Sequence, residues 1–425
     1  MKIALVVRNL TVSGGYQRLI FNLANQLVEF GNNVVIYTAA YNREKCYPNL
    51  VGNLIIKGVK ENLNDRYNNK FFNKLPLIGK IILFLENSFI FRQESRLLAS
   101  IIDKNIDLIN IHDEYSIKTA SYFIKHKKKV PVVWVLNNEL SPYFRNPSLK
   151  SLHDIFYFLL KLFIRIINKK DIKIISAYVV YDKYNQNLIS KYLKKESYLI
   201  HPGVDFDFWF CPDDFKTRHN NNSTDLQNKR EFRIISVGHL YPYRCFEDII
   251  NALKILDNSD HGMNIILKIV GRQDYSPDYA QFLKDLINSL GMNDKIFFLS
   301  DLSDTELKKT YYNSDAFIFV NSGQTWGLAV FEAMACGTPV ILSTGCGASE
   351  ILTDGENAFL VPPKSPEKIA DAIMKLKEDP NFGRKLSTNG RKFVEENIRW
   401  DLYAKNMERV FLQVSNNKNI NFLKK

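Results

Sequence analysis

IALVVRNLTVSGGYQRLIFNLANQLVEFGNNVVIYTA, residues 3–39, decides the fold. The opening IALVVRN is a short apolar run without strict alternation, as expected of a strand covered on both faces. A glycine-containing turn follows. YQRLIFNLANQLVEFG then spaces its apolar residues as a helix does, and NVVIYTA is a second strand. Strand, helix and strand in that order make a parallel β-α-β unit, the building block of open α/β sheets.

The same rhythm runs outward from this unit. Further strands are expected at LIIKGV, IDLINIH, VPVVWVLN, IKIISAY and SYLIHPG. It restarts after residue 230 with EFRIISVGHL, a helix over FEDIINALKIL, NIILKIVG, a helix over YAQFLKDLINSLG, then KIFFLS, DAFIFVNS and PVILSTG. A chain of 425 residues is long for a single core. Two domains of roughly 200 residues are the expectation. The predicted division is residues 1–205, a linker at 206–228 where Pro212 and an Asn-rich run break regular structure, and 229–395. The periodic stretch RKFVEENIRWDLYAKNMERVFLQV, with a break near Arg399–Asp401, predicts a terminal helix pair. Its second member, 396–415, is a candidate to return to the N-terminal domain.

Charge divides unevenly along the chain. Residues 1–205 hold 30 Lys and Arg against 16 Asp and Glu, while residues 206–425 hold 27 against 29, so the positive field belongs to the first half. Such a field attracts anionic lipid, nucleic acid or a phosphorylated substrate, or is a solubilising surface. Without a recognition helix or a regular basic-aromatic pattern, nucleic acid is the weakest of these partners. Cysteines 46, 211, 245, 336 and 346 lack metal-ligand spacing and are odd in number, which fits a reducing compartment better than a disulfide scaffold. The first residues begin a strand directly and carry no signal-peptide pattern, so a cytoplasmic location is expected. LPLIGKIILFLENSFIF (75–91) and IFYFLLKLFIRII (155–167) are interrupted by charges and fall short of the roughly 20 apolar residues of a membrane span. Each reads either as a buried helix or as a peripheral contact on the cytoplasmic face of a membrane.

Two glycine turns stand between a strand and a helix, one in each half. Gly14 and Gly15 lie in TVSGGYQR; Gly323 and Gly327 bracket Gln324, Thr325 and Trp326, ahead of the helix that starts at Leu328. Either turn alone reads equally as a tight bend. Missing side chains also let backbone amides approach an anion at a helix start, although neither turn is a dinucleotide fingerprint. Glu332 is a lone acid in LAVFEAMA, suited to accept from the two hydroxyls of a ribose or to be paired inside the protein. GHLYPYRCFEDI adds His239 at a strand end and Arg244 five positions on, a fixed cation that matches phosphate oxygens.

Read together, these residues resemble the retaining, nucleotide-sugar-dependent glycosyltransferases of family 4 (glycosyl transferases group 1), of GT-B fold, in which two Rossmann-like domains face each other across a cleft. The resemblance extends from residue 1 to about 410 and is strongest over Ser322–Pro363, through the seven-residue spacing between positions 324 and 332, AMACGTPV, and DGENAFLVPP. It implies an acceptor-binding N-terminal domain and a nucleotide-sugar-binding C-terminal one. It places Glu332 on the ribose, the turn of Thr325, Trp326, Gly327 and Leu328 on the transferred sugar, Gly14 and Gly15 near the diphosphate, and His239 and Arg244 at the two diphosphate-contact positions. His112, in DLINIHDEYS, takes the place of the active-site histidine, with Asp113 as a candidate helper, and Glu350 a supporting place near the nucleotide. His112, Arg244 and Gln324 are the candidate catalytic residues. Three departures stand out: Gln324 for the family's first glutamate, His239 for its first base and Cys245 for its glycine.

The family is usually metal-independent, and neither a metal nor a further cofactor is expected here. The resemblance implies same-face sugar transfer from a nucleotide sugar, GDP-mannose or a UDP-sugar, to a glycan or lipid-linked acceptor. YTAAYNREKCYPNL and WVLNNELSPYF are similar to mannosyltransferases that extend lipid-linked oligosaccharides. The competing reading is a noncatalytic nucleotide-sugar or glycan-binding protein that keeps Glu332 and Arg244 while Gln324 records lost chemistry.

Overall fold

The computed structural model describes residues 1–61, 90–137, 170–212, 231–258, 264–323 and 326–416. They form two compact units, Met1–His201 with the C-terminal segment from Trp400, and Pro202–Arg399. The apolar segments 75–89 and 155–167, and Gln324 and Thr325, lie outside the described residues.

The first unit is a parallel sheet of β1 (Lys2–Leu10), β2 (Asn33–Tyr41), β3 (Ile55–Glu61), β4 (Leu108–Ile111), β5 (Val132–Leu136), β6 (Ala177–Val180) and β7 (Tyr198–Leu199). Their order across it is β3-β2-β1-β4-β5-β6-β7. β1 buries Ile3 to Val7 without interruption, because helices cover both of its faces. The Gly15–Glu29 helix turns Leu19, Ile20, Leu23, Ala24 and Leu27 onto the sheet. Each Leu and Ile among them contributes about 1.5–3 kcal/mol when fully buried. The Trp400–Asn416 helix packs on that same helix, and Glu408 accepts from Asn32 Nδ2 at 2.6 Å.

The second unit repeats the plan with β8 (Phe232–Val237), β9 (Ile265–Val270), β10 (Ile296–Leu299), β11 (Ala316–Phe319), β12 (Val340–Ser343) and β13 (Phe359–Val361). They are ordered β10-β9-β8-β11-β12-β13, all parallel. The three-residue β13 has no apolar run long enough to announce it; pairing with β12 creates it. Capping is written locally where the helices begin. Ser303 accepts from the Glu306 amide while Glu306 returns to the Ser303 amide, starting the Asp304–Tyr312 helix.

Residues 202–212 belong to the second unit rather than to a free linker. Phe206 and Trp209 are buried there, Trp209 meets the Tyr311 ring at 5.8 Å, and the Val204 amide donates to the Ile398 carbonyl at 2.9 Å. The long C-terminal periodic stretch splits into Pro380–Asn397 and Trp400–Asn416. Among the described residues no helix is long and apolar enough to cross a membrane.

Candidate functional site

In each sheet the strand order reverses once beside the first strand, and open α/β sheets bind ligands outside the carboxyl ends of the strands at that switch point. The reversal lies between β1 and β4 in the first unit and between β8 and β11 in the second. The candidate residues follow these strands.

In the first unit, Gly14 and Gly15 leave β1 and open the Gly15–Glu29 helix, with Gly14 extended at φ −170° and without a side-chain cap. Across the switch, His112 follows β4 and is buried. Its Nε2 lies 2.7 Å from Asn110 Oδ1, and its Nδ1 is buried without a partner. Asn137 Nδ2 donates to the His112 carbonyl, and the Tyr181 hydroxyl donates to Asn137 Oδ1. Burial pushes the imidazole down to about 3, so the ring is neutral at physiological pH. Asp113 is not the partner of His112. Its carboxylate accepts from the Arg8 amide at 2.7 Å, the Tyr16 hydroxyl at 3.0 Å and the Ser116 amide at 2.7 Å, and so staples β1 to two helix starts.

In the second unit, Pro242–Arg244 forms a single 3₁₀ turn after β8, and the Tyr243 carbonyl accepts from the Ser322 amide at 2.9 Å. That bond joins the turn after β8 to the turn after β11. Arg244 lies over the Phe319 ring at 4.9 Å and the Tyr243 ring at 5.4 Å. Its Nε and Nη1 are buried and make no hydrogen bond. Gly238 leaves it room: a Cβ there would stand 3.1 Å from Arg244 Nε. The neighbouring strand end is tighter, since a Cβ on Gly271 would fall 1.9 Å from the Gly238 carbonyl oxygen. Cys245 occupies the left-handed region at φ +51°, which explains why the resembling family favours glycine at this position.

His239 packs on Tyr275 with ring centroids 4.5 Å apart, and the Arg272 guanidinium lies over Tyr275 at 4.9 Å. Burial, aided by the charges of Arg244 and Arg272, pushes His239 down to about 4. The site therefore sets the permanent cation Arg244 beside a neutral imidazole whose Nδ1 has no partner, while the second guanidinium, Arg272, is paired with Asp274.

Gly327 takes φ +82° at the start of the Leu328–Ala335 helix, where a Cβ would also stand 3.0 Å from Phe319. Trp326 is turned inward against Phe331 at 5.2 Å, so its side chain packs the core. Leu328 is half-buried at the helix start. Glu332 is 6% exposed and accepts from the Tyr311 hydroxyl at 3.3 Å. Glu350, half-buried, ends the short Gly347–Glu350 turn after β12.

The structure thus gathers Gly238, His239, Arg244, Ser322, Gly323 and Gly327 about the ends of β8 and β11, with Glu332 one helical turn beyond the mouth. Sequence reading missed Tyr311, Gly271, Asn110 and Asn137. Asn110 alone left a local signal, a polar residue inside an otherwise apolar strand.

Two open parallel sheets of this order define an α/β protein of GT-B fold. Residues 13–208 match the model for Glycosyltransferase Family 4 and residues 218–393 that for Glycosyl transferases group 1. The chain belongs to this glycosyltransferase family. An uncharacterized glycosyltransferase of Methanocaldococcus jannaschii is 34% identical over 182 residues, 43% of this chain and 45% of that relative. The match thus spans about half the length of that relative. An alpha-1,3/1,6-mannosyltransferase of Dictyostelium discoideum is 21% identical over 420 residues, 93% of this chain and 94% of its own length. Among solved structures, Anabaena HepE in complex with UDP and glucose superposes with a TM-score of 0.68 at 17% identity, covering 96% of this chain and 99% of that one.

Proposed function

We propose that the protein is a retaining glycosyltransferase that moves a sugar, mannose from GDP-mannose or a hexose from a UDP-sugar, onto a glycan or lipid-linked acceptor at the cytoplasmic face of a membrane. The observation that carries this reading is the Arg244 guanidinium, with two buried donor nitrogens left without partners at the carboxyl end of β8. Buried donors are normally satisfied, so these point to an anionic ligand. A nucleotide sugar supplies one, because its leaving diphosphate gains negative charge as the sugar–phosphate bond breaks. A donor fixed in place for that charge is worth about 3–4 kcal/mol in the transition state. The mannosyltransferase relative supports mannose and the UDP-bound structural neighbour supports uridine. The basic N-terminal half supports an anionic surface as the place of action.

A transfer panel of GDP- and UDP-sugars against lipid-linked acceptors, run with and without anionic vesicles, tests the proposal. Stereochemical retention in the product is expected, and absence of any turnover or sugar-nucleotide hydrolysis would reject it.

Glu332 serves the donor ribose in this reading. Glu332→Gln keeps an acceptor for the Tyr311 hydroxyl but loses the charge that strengthens a bond from a ribose hydroxyl. Donor affinity is expected to fall about tenfold, since a charged hydrogen bond exceeds a neutral one by roughly 1–1.5 kcal/mol. Calorimetric titration checks this, and unchanged affinity in a folded variant removes Glu332 from the site.

Gln324 retunes recognition of the donor sugar, because an amide can both donate to and accept from sugar hydroxyls where the family's carboxylate only accepts. Gln324→Glu should change the preference among nucleotide sugars, and Gln324→Ala should lose more activity than that. Equal kcat/KM profiles for the wild type and both variants would sink this assignment.

A further inference from the structure

We infer that Asn110 is a positioning residue that locks His112 in the tautomer protonated on Nε2, so that Nδ1 is offered as a neutral acceptor to a hydroxyl of the transferred sugar. The inference rests on the glycosyltransferase reading for the ligand, and on geometry alone for the tautomer.

Asn110 is fully buried in β4, between Ile109 and Ile111 of the core. It occupies a position that an apolar residue would normally fill. Its amide orientation is set by its second contact: Nδ2 lies 3.0 Å from the Val133 carbonyl oxygen on the neighbouring strand. Only the NH₂ end can face a carbonyl, so Oδ1 faces His112. The His112 amide continues the ladder past β4, donating to the Val6 carbonyl at 3.3 Å, so Asn110 and His112, two residues apart, project from the same side of the sheet. At 2.7 Å an amide oxygen requires a proton from His112 Nε2, because the other neutral tautomer would set two bare acceptors against each other. Nδ1 is then a lone pair, buried and without a partner.

The depressed imidazole pKa agrees with a ring that stays neutral. Asn137, donating to the His112 carbonyl and itself held by Tyr181, fixes the backbone beneath the ring. Polar side chains of β4 and of the residues after β5 and β6 thus converge on one histidine. A neutral acceptor suits a hydroxyl donor and not a phosphate oxygen, which separates the role of His112 from that of Arg244.

Nitrogen NMR of ¹⁵N-histidine-labelled full-length protein tests the assignment, with His112→Gln identifying the resonances. The ligand-free protein should show His112 Nδ1 as a bare, pyridine-like nitrogen and Nε2 as a protonated, pyrrole-like one. The reverse pattern, or an averaged one, overturns the inference before Asn110 is altered. Asn110→Leu should convert the signature to a tautomer mixture and lower kcat/KM about tenfold or more; an unaltered signature in a folded variant means that Asn110 is merely structural. A nucleotide sugar, UDP-glucose or GDP-mannose, should shift the Nδ1 resonance, whereas UDP or GDP alone should not. A shift with the diphosphate alone overturns the hydroxyl assignment. If neither nucleotide sugar binds while the tautomer stands, the transferase reading fails and the role of Asn110 in setting the tautomer survives.

Discussion

Arg244→Met is expected to lower kcat about 10²–10³-fold with nucleotide-sugar donors while leaving the thermal midpoint unchanged or raised. The two halves of this expectation come from the same atoms. Arg244 Nε and Nη1 are buried without hydrogen-bond partners, a cost of about 1–3 kcal/mol per group that the folded protein carries in the absence of ligand. Methionine removes that cost. It also keeps an apolar contact with the Phe319 and Tyr243 rings, replacing a cation–π attraction of roughly 0.5–2 kcal/mol with a sulfur–aromatic one of similar size. What it cannot replace is the fixed charge that the proposed function sets against a developing diphosphate. Arg244→Lys should recover part of the activity, since the charge returns without the planar fork. Measured together, kcat and the melting temperature decide the point. A variant that loses stability as well as activity shows the guanidinium to be a packing element, and one that keeps full activity removes it from the site.

Only part of this architecture was legible in the sequence. The fold was, because it is written in local periodicity: IALVVRN and NVVIYTA flank a helix whose apolar stripe is plain, and both pair in parallel as β1 and β2. A strand of three residues such as Phe359–Val361 exists only through its neighbour and leaves no such mark. The departure at Cys245 carries a backbone reason that a family pattern alone does not give. The residue sits in the left-handed region, and its buried side chain joins the core of the second unit.

The site divides along the same line. Arg244 and Gly327 could be picked out because a fixed cation after a strand, or a glycine before a helix, is chemically conspicuous within a few residues. Tyr311 could not, since it meets Glu332 from 21 positions away and reads as one more aromatic in a helix. Asp113 misled for a related reason. Adjacency to His112 suggests cooperation, but the chain bends at Asp113, and its carboxylate is taken by Arg8, Tyr16 and Ser116.

Gly271→Ala is expected to destabilise the second unit by about 2–4 kcal/mol and to weaken donor binding at least tenfold, although residue 271 offers no side chain to any ligand. The added Cβ would lie 1.9 Å from the Gly238 carbonyl oxygen and 2.8 Å from its carbon. Both are backbone atoms, which cannot rotate away as the end of a long side chain can. Relief requires the ends of β8 and β9 to separate. The Gly238 amide, now 2.9 Å from the Val270 carbonyl, would then be drawn off its partner. Overpacking of this kind costs about 1–3 kcal/mol, and a broken backbone hydrogen bond adds roughly 1 kcal/mol. The displacement is not confined to the sheet. Gly238 leads directly into His239 and borders Arg244 Nε, so movement of its carbonyl shifts as a set the two groups proposed to meet the diphosphate. Denaturant midpoints and donor titration measure the two consequences separately. Lost stability with unchanged donor affinity would mean that the strand end yields without carrying Arg244 along, and the site would then be held by the Tyr243–Ser322 bond instead. Unchanged stability would contradict the close approach of the two strands itself, and with it the reason for a glycine at 271.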